Sequence, residues 1–264
     1  MLHDSITALL DNYERRFSSH TALAVTLLNT GLSLERRASQ PLPSASLLKL
    51  FVLGLVLKLF TQHLLDPDAV LEVIDDDLVG GSGILKTQGL PLAISIQRLA
   101  ELMIKYSDNT AANSLIRTLT TVEINSYIHS LGADSTQLRR RFMESSPLYN
   151  ITSAGDVALF YTLLLKRSLP ATSAHWCEWA QRLLSDVPSQ RLREGTERSF
   201  ASGGKPGTGT RLLHDSGFLN ERTVAVLMIC SDVSDIGMPL CPAYKGGMEL
   251  FRDIGLLLRK ENDR

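Results

Sequence analysis

Hydrophobic residues follow two different periods along this 264-residue chain, a strand period near both termini and a helical period between them. Residues 4–17 have an apolar face at helical spacing, and two runs rich in β-forming residues follow at 21–29 and 32–36. The turn Asn29-Thr30-Gly31 between these runs predicts an antiparallel hairpin. A helix followed by a hairpin is typical of the start of an α+β layer.

The middle of the chain, from Ser44 to about residue 190, has helical character in almost every segment. It contains no convincing strand pattern. An apolar run at 47–60 predicts a buried helix. Further helices are predicted at 95–106, 110–118, 122–131 and 157–165.

Strand character returns at residue 199, with predicted strands at 199–205, 210–218 and 222–230 and a closing helix at 244–258. The pattern therefore predicts an α+β fold, with one antiparallel sheet built from both termini and flanked by helices, and an inserted all-α subdomain. We place the α/β subdomain at 1–43 plus 199–264 and the all-α subdomain at 44–198.

Composition places the chain among ordinary globular proteins, with 44% hydrophobic residues, 21% charged residues and a net charge of -1. Lysine and arginine are spread evenly, which argues against nucleic acid or an anionic membrane as a partner. The apolar run at 47–60 is too short to span a bilayer and is interrupted by Lys49 and Lys58.

Three cysteines, Cys177, Cys230 and Cys241, show no metal-binding or disulfide spacing, so we expect neither a metal nor a disulfide framework. The N-terminal residues contain no basic region leading into an apolar stretch. We therefore expect a cytoplasmic protein from the sequence as it stands, or a periplasmic or secreted one if the chain has been trimmed. No signal for an oligomeric state is present.

Candidate chemistry begins where the chain enters its longest apolar run. Ser46 and Lys49 are three residues apart, so on a helix their side chains share one face. A lysine desolvated by apolar neighbours can lose its proton and activate a serine hydroxyl. The same spacing also occurs in many helices in which the serine caps and the lysine reaches water.

Two more short motifs follow in the chain. Ser107-Asp108-Asn109 lies between two predicted helices, and Lys205-Pro206-Gly207 lies at the end of a predicted strand. By itself, the first is ordinary capping chemistry and the second an ordinary turn.

With the three motifs in this order, the chain resembles the class A β-lactamase and penicillin-binding serine hydrolases. The resemblance covers roughly residues 20 to 258. Connecting stretches also match, namely 81–85, 99–104, 107–113, 150–153 with Asp156, and 214–217.

The resemblance implies that Ser46 attacks a strained or activated carbonyl to give an acyl-enzyme, with Lys49 as the base or a proton relay. Ser107 would pass the proton to the leaving nitrogen, since a hydroxyl both donates and accepts. The expected substrate is a small molecule, a β-lactam or a related acyl amide or ester, and no cofactor is needed.

Substrate binding is implied at four other positions. Asn109 would hold Lys49 and a substrate amide, and Lys205 would supply positive charge for a substrate carboxylate. Gly207 would also border the substrate, and Thr208, on the strand after Lys205-Pro206-Gly207, would contribute its N–H to an oxyanion site shared with the Ser46 N–H.

Pro206 departs from the family pattern, which usually has Thr or Ser between the lysine and the glycine. Proline lacks a hydroxyl and a backbone N–H, and it belongs at a sheet edge. Either carboxylate recognition is weakened unless Thr208 or Thr210 substitutes, or Pro206 simply stiffens the turn.

The loop before Asn150 also departs from the pattern. Class A enzymes activate the hydrolytic water with a glutamate in a Glu-x-x-x-Asn pattern, but here the only acid in 139–149 is Glu144, six residues before Asn150. We expect Glu144 to be a solvated surface carboxylate. Without that base an acyl-enzyme would be long-lived.

Three functions therefore remain open: a β-lactamase, a D-alanyl peptidase, esterase or transacylase on the same scaffold, or a non-catalytic binding module. His214-Asp215 looks like part of a serine-histidine-aspartate set. We expect a structural role for the pair, because the family carries a similar pair on its sheet without catalytic use.

Overall fold

A computed structural model describes residues 2–188, 191–194, 202–232 and 236–262. The α-helices in these ranges are α1 (Leu2–Phe17), α2 (Lys49–Thr61), α3 (Ile96–Lys105), α4 (Asn109–Leu119), α5 (Thr121–Ser130), α6 (Ala154–Leu165), α7 (Ala174–Ser185) and α8 (Pro242–Asn262). The strands are β1 (Ser19–Leu27), β2 (Ser33–Arg36), β3 (Leu42–Pro43), β4 (Val70–Val73), β5 (Leu92–Ser95), β6 (Ile151–Thr152), β7 (Gly203–Gly204), β8 (Gly207–Gly209), β9 (Leu212–Leu219) and β10 (Thr223–Ser231).

The main sheet is antiparallel and is built from both ends of the chain. Its order is β2-β1-β10-β9, and β7 and β8 both pair with β9 at the far edge. The central pairing joins the N-terminal and C-terminal segments, with Leu23 opposite Leu227. The predicted α+β fold is confirmed.

Both faces of this sheet are buried. Successive side chains of a strand point to opposite sides, and those of β1 enter two different cores. On one face, Leu23 and Val25 of β1 join a core that includes residues of α1 and α8. On the other face, Ala22 and Ala24 join a larger core that extends into the central helices.

Helix α2 lies at the centre of the larger core. Its residues from Lys49 to Leu57 are all buried, and a helix that is apolar on every side belongs in the interior. The prediction of a buried helix is borne out here. A single 3₁₀ turn, Ala45–Leu48, precedes α2 without a break.

The expectation of no strand between 44 and 190 is wrong. β4 and β5 pair with each other, with Val70 opposite Ser95, and β6 pairs with β3 through Leu42 and Thr152. These strands have two to four residues. Their partners are distant in sequence, so local periodicity does not reveal them.

The C-terminal strand bounds also differ from the prediction. Gly207, predicted to lie in a turn, begins β8, whereas Thr210 lies in a turn and β9 starts at Leu212. Residues 199–201 of the predicted strand 199–205 lie outside the described residues; β7 covers Gly203–Gly204.

The division into subdomains at 1–43 plus 199–264 and 44–198 stays a prediction. Among the helices of the described ranges, none has both the length and the apolar character required to cross a membrane.

Candidate active site

Ser46 lies in the 3₁₀ turn that leads into α2. The residue before it, Ala45, has a φ of 44°, a left-handed conformation that costs energy for a residue with a side chain. The Ser44 N–H donates to the carbonyl of Asn150 at 2.8 Å, which fixes the approach to this turn. Ser46 is partly exposed, whereas Leu47 and Leu48 are fully buried.

Lys49 is the first residue of α2 and is completely buried. Its Nζ lies 3.3 Å from Ser46 Oγ, 2.6 Å from the Ser107 carbonyl oxygen, 3.2 Å from Ser107 Oγ and 2.7 Å from Asn109 Oδ1. Burial lowers the pKa of Lys49 well below its ordinary value, and the positive charge of Lys205 lowers it further. The Asp108 carboxylate opposes this effect.

The turn between α3 and α4 carries the second motif. Ser107 has a φ of 52°, which lets the chain reverse between the two helices. Asp108 then caps α4 by accepting from the Ala111 N–H at 3.0 Å, and its other oxygen accepts from the Ile84 and Leu85 N–H groups at 2.6 and 2.9 Å. Asp108 therefore holds both the turn and the neighbouring loop in place.

Asn109, the first residue of α4, is 5% exposed. Its Oδ1 accepts from Lys49, and its Nδ2 donates to the carbonyl of Gly80 at 3.0 Å. The amide is therefore held at both ends.

Ser107 connects the two sides of the site. Its Oγ donates to Ser46 Oγ at 2.8 Å and accepts from Lys205 Nζ at 3.0 Å. The structure thus brings Ser46, Lys49, Ser107, Asn109 and Lys205 into one hydrogen-bonded cluster. A proton can move along such a chain of hydroxyl and amine groups.

Lys205 lies between β7 and β8 and is 1% exposed. Its Nζ also donates to the Pro206 carbonyl at 3.1 Å. Burial lowers its pKa to about 7; Asp215 raises the pKa and Arg191 lowers it. Lys205 therefore loses its charge close to neutral pH.

The strand that follows packs directly on the turn of Ser46. A Cβ added at Gly207 would lie 3.2 Å from Ala45 Cβ and 3.4 Å from the Ser46 nitrogen, so a larger residue would press on that turn. Pro206 interrupts the edge of the sheet, the place where a missing N–H costs no ladder hydrogen bond.

Thr208 is exposed, and its hydroxyl accepts from Arg191 Nη2 at 2.6 Å. Arg191 is a site residue that the sequence did not predict. No motif surrounds it, its neighbours in the sequence are mostly polar, and its contact with Thr208, 17 positions away, exists only in the folded chain, so no local signal marks it. Phe142, whose ring centre lies 4.5 Å from Lys49 Nζ, was missed as well.

Glu144 is exposed, and its carboxylate accepts from the backbone N–H of Arg141 at 2.8 Å. Asn150 closes the same loop: its Oδ1 accepts from the N–H groups of Arg139 and Arg140 at 2.8 and 3.0 Å. In the parts of the chain that the structure describes, no acidic side chain is hydrogen-bonded to Ser46 or Lys49.

His214 is fully buried and bonded to backbone on both sides. Its Nε2 contacts the Pro43 carbonyl at 2.9 Å, and its Nδ1 accepts from the Ile229 N–H at 3.2 Å. Burial lowers its pKa to about 4, so the ring is neutral. Asp215 accepts from the Leu192 N–H at 2.8 Å rather than from the His214 ring. This arrangement supports the structural role predicted for the pair.

Three or more His, Cys, Asp or Glu side chains do not come together as a metal site anywhere in 2–188, 191–194, 202–232 or 236–262.

Solved structures with the same fold include a β-lactamase from Sphaerobacter thermophilus, at 21% sequence identity and a TM-score of 0.85, covering 97% of this chain and 95% of that one. PBP-A matches at 22% identity and a TM-score of 0.83, over 97% and 96% of the two chains. An ancestral class A β-lactamase matches at 23% identity and a TM-score of 0.81, over 99% and 100%.

The family model described as "β-lactamase enzyme family" matches residues 1–261, which is nearly the whole chain. The chain therefore belongs to the β-lactamase enzyme family and is a serine hydrolase of the β-lactamase type.

Proposed function

We propose that Ser46 attacks the carbonyl of a β-lactam or a related acyl amide or ester and forms an acyl-enzyme. The observation that carries this proposal is the 3.3 Å contact between Ser46 Oγ and the Nζ of a fully buried Lys49. Because its pKa is lowered, Lys49 can take the hydroxyl proton as the C–O bond forms.

Ser107 completes the acylation step. Its hydroxyl lies between Ser46 and Lys205, so it can give a proton to the leaving nitrogen and regain one from a lysine. The N–H groups of Ser46 and Thr208 are proposed to stabilise the oxyanion, and the tight packing of Gly207 on the Ser46 turn supports their proximity.

Substrate recognition is proposed to involve Asn109, Lys205, Gly207 and Thr208. Asn109 Nδ2 and the β8 backbone suit a substrate amide, and Lys205 suits a carboxylate. Thr208, two residues after Pro206, supplies the hydroxyl that Pro206 lacks, and Arg191 orients that hydroxyl by donating to it. A β-lactam substrate is supported by a structural neighbour at 22% identity, a variant of PBP-A described as an acyl-enzyme complex with penicillin G.

Deacylation is proposed to be slow. Glu144, the only acid of the 139–149 loop, is turned to the Arg141 N–H. In the described ranges Lys49 contacts neutral acceptors and an aromatic ring, so no carboxylate is in place beside it to activate water. This favours a persistent acyl-enzyme, as expected of a peptidase, esterase or transacylase, over a fast β-lactamase.

The test is to incubate the protein with a fluorescent penicillin and follow both intact mass and released product over time. We expect a stoichiometric adduct on Ser46 that is hydrolysed much more slowly than it forms. We expect no adduct in Ser46→Ala. Rapid turnover without accumulation would overturn slow deacylation. Absence of an adduct with both the penicillin and an activated thioester would overturn the catalytic role of Ser46 in favour of a binding module.

A further inference from the structure

The loop at 139–150 covers Lys49 with an aromatic ring. The ring centre of Phe142 lies 4.5 Å from Lys49 Nζ, and Phe142 is 9% exposed. The ring comes from a different segment than the polar acceptors of the ammonium, which belong to α4, the Ser107 turn and the Ser46 turn. A cation over an aromatic face is attracted by the ring quadrupole, and more strongly where water is excluded.

Asn113 holds the backbone of Phe142 from both sides. Its Oδ1 accepts from the Phe142 N–H at 2.8 Å, and its Nδ2 donates to the Phe142 carbonyl at 3.1 Å. Asn113 is 1% exposed and lies one helical turn after Asn109 on α4. The helix that offers Asn109 to the lysine thus also determines where the ring lies.

A second attachment lies just before Phe142. The guanidinium of Arg141 contacts the carboxylates of Asp77 at 3.0 Å and Asp76 at 2.5 Å. Asp77 is completely buried and also accepts from Arg117 at 2.9 Å and Ser114 at 3.0 Å. The segment that carries the ring is therefore held by contacts that do not involve Lys49.

The charged groups around Lys49 come from two other elements. Lys205 faces it from the sheet edge and disfavours its charge, while Asp108 at the start of α4 favours it. From the loop itself, Glu144 is bonded to the Arg141 N–H, and the Arg140 guanidinium lies over Tyr149, 5.4 Å from the ring centre. On the loop side of the lysine the ring face is thus the group that favours a positive charge.

We propose that Phe142 is a positioning residue for Lys49: its ring face, held by Asn113, keeps the ammonium directed at Ser46 and Ser107 and sets the pH range in which Ser46 is activated. This inference rests on the proposed roles of Ser46 and Lys49. Phe142 acts through Lys49 and not on the substrate.

The test compares Phe142→Leu, which keeps apolar bulk but removes the ring face, with Phe142→Tyr, which keeps the face. The second-order rate constant of acylation is measured against pH with an activated thioester that has no carboxylate, so that substrate binding by Lys205 does not contribute. In Phe142→Leu we expect the rising limb of the pH–rate profile to move to lower pH by about half to one and a half units. The ammonium has lost a stabilising contact, so Lys49 gives up its proton at a lower pH. Phe142→Tyr should stay close to the parent protein.

Two further variants separate positioning from loop stability. Asn113→Ser should shift the limb in the same direction by a smaller amount, since it loosens the ring without removing it. Leu148→Ala, an exposed apolar residue of the same loop, should leave the profile in place. A Phe142→Leu profile that coincides with the parent profile would overturn the proposal, because a ring that only fills space has no effect on the limb.

A titration followed by NMR of ¹³C-labelled lysine side chains makes the test independent of turnover. The Lys49 resonance is assigned from its loss in Lys49→Arg, and its midpoint should fall in Phe142→Leu. If the parent protein is not acylated at all, the proposed function fails. The NMR midpoint then still decides whether Phe142 stabilises the ammonium, and an unchanged midpoint overturns that claim.

Discussion

Two buried lysines donate to the hydroxyl of Ser107. Lys49 reaches it from the central helix, and Lys205 reaches it from the edge of the sheet. Both are at most 1% exposed. Both ammonium groups donate to neutral oxygen atoms, but different charges act on them: Lys205 and Asp108 on Lys49, and Asp215 and Arg191 on Lys205.

The comparison shows that burial alone does not assign a role to a lysine. Burial lowers both pKa values, but the larger charge effect on Lys49, from Lys205, lowers its pKa further and outweighs Asp108, whereas the larger charge effect on Lys205, from Asp215, raises its pKa and outweighs Arg191. Lys49 is therefore better suited to accept a proton. Lys205 is better suited to carry a charge up to about pH 7.

Lys49→Met removes the proposed base and should have the largest effect on acylation. We expect acylation by penicillin to slow by about 10²- to 10⁴-fold, the range for loss of a general base. Stopped-flow fluorescence measures it, and Lys58→Met near the end of the same helix is the matched control. An effect of less than tenfold would contradict the role of Lys49 as the base.

Ser107→Ala removes the hydroxyl that joins the two lysines. We expect acylation by a penicillin to slow by about 10²-fold, with a smaller loss for a nitrophenyl ester, whose leaving group needs no proton. Thr118→Ala, which removes a hydroxyl of the neighbouring helix α4 that lies outside the cluster, is the control. Equal losses for amide and ester would mean that Ser107 positions groups but does not deliver a proton.

The pH dependence of the acylation rate constant tests whether Lys205 binds a substrate carboxylate. Its pKa is about 7, so the charged fraction falls as pH rises above that value. The second-order acylation rate constant for a carboxylate-bearing penicillin should therefore fall above pH 7, by up to about tenfold per unit. A thioester without a carboxylate should show no such fall. Parallel profiles for the two substrates would contradict a carboxylate-binding Lys205.

Glu144→Gln should have the smallest effect, because this exposed carboxylate is bonded to the Arg141 N–H and lies outside the cluster of the two lysines. We expect the deacylation rate, followed by intact mass, to stay within about twofold of the parent protein, as for most surface substitutions. If the variant instead traps the acyl-enzyme, Glu144 is the water-activating base and the proposed slow deacylation is wrong.

Sequence reasoning located most of the fold because its signals are local. Helical spacing predicted α1 and α3 to α6 within three residues of their observed ends. β3 to β6 were missed because a strand of two to four residues carries too little periodicity, and its partner lies far along the chain.

The residues of the candidate site also fall into two groups, those that local spacing predicts and those that only distant contacts bring together. Ser46 and Lys49 could be paired from spacing, since one helical turn brings them together whatever surrounds them. Lys205 is 98 positions from Ser107 and was connected to it only through the family resemblance. Phe142 and Arg191 belong to no motif, and their importance depends on which side chain each one meets.

What the sequence determined by itself was the set of reactive groups, their order and the elements that carry them, because side-chain chemistry and periodicity are properties of neighbouring residues. The tertiary structure alone decided how far each lysine is removed from water, which charges face it and which ring covers it. These properties set the proton affinity of a side chain, and they arise from contacts between segments that are distant in the chain.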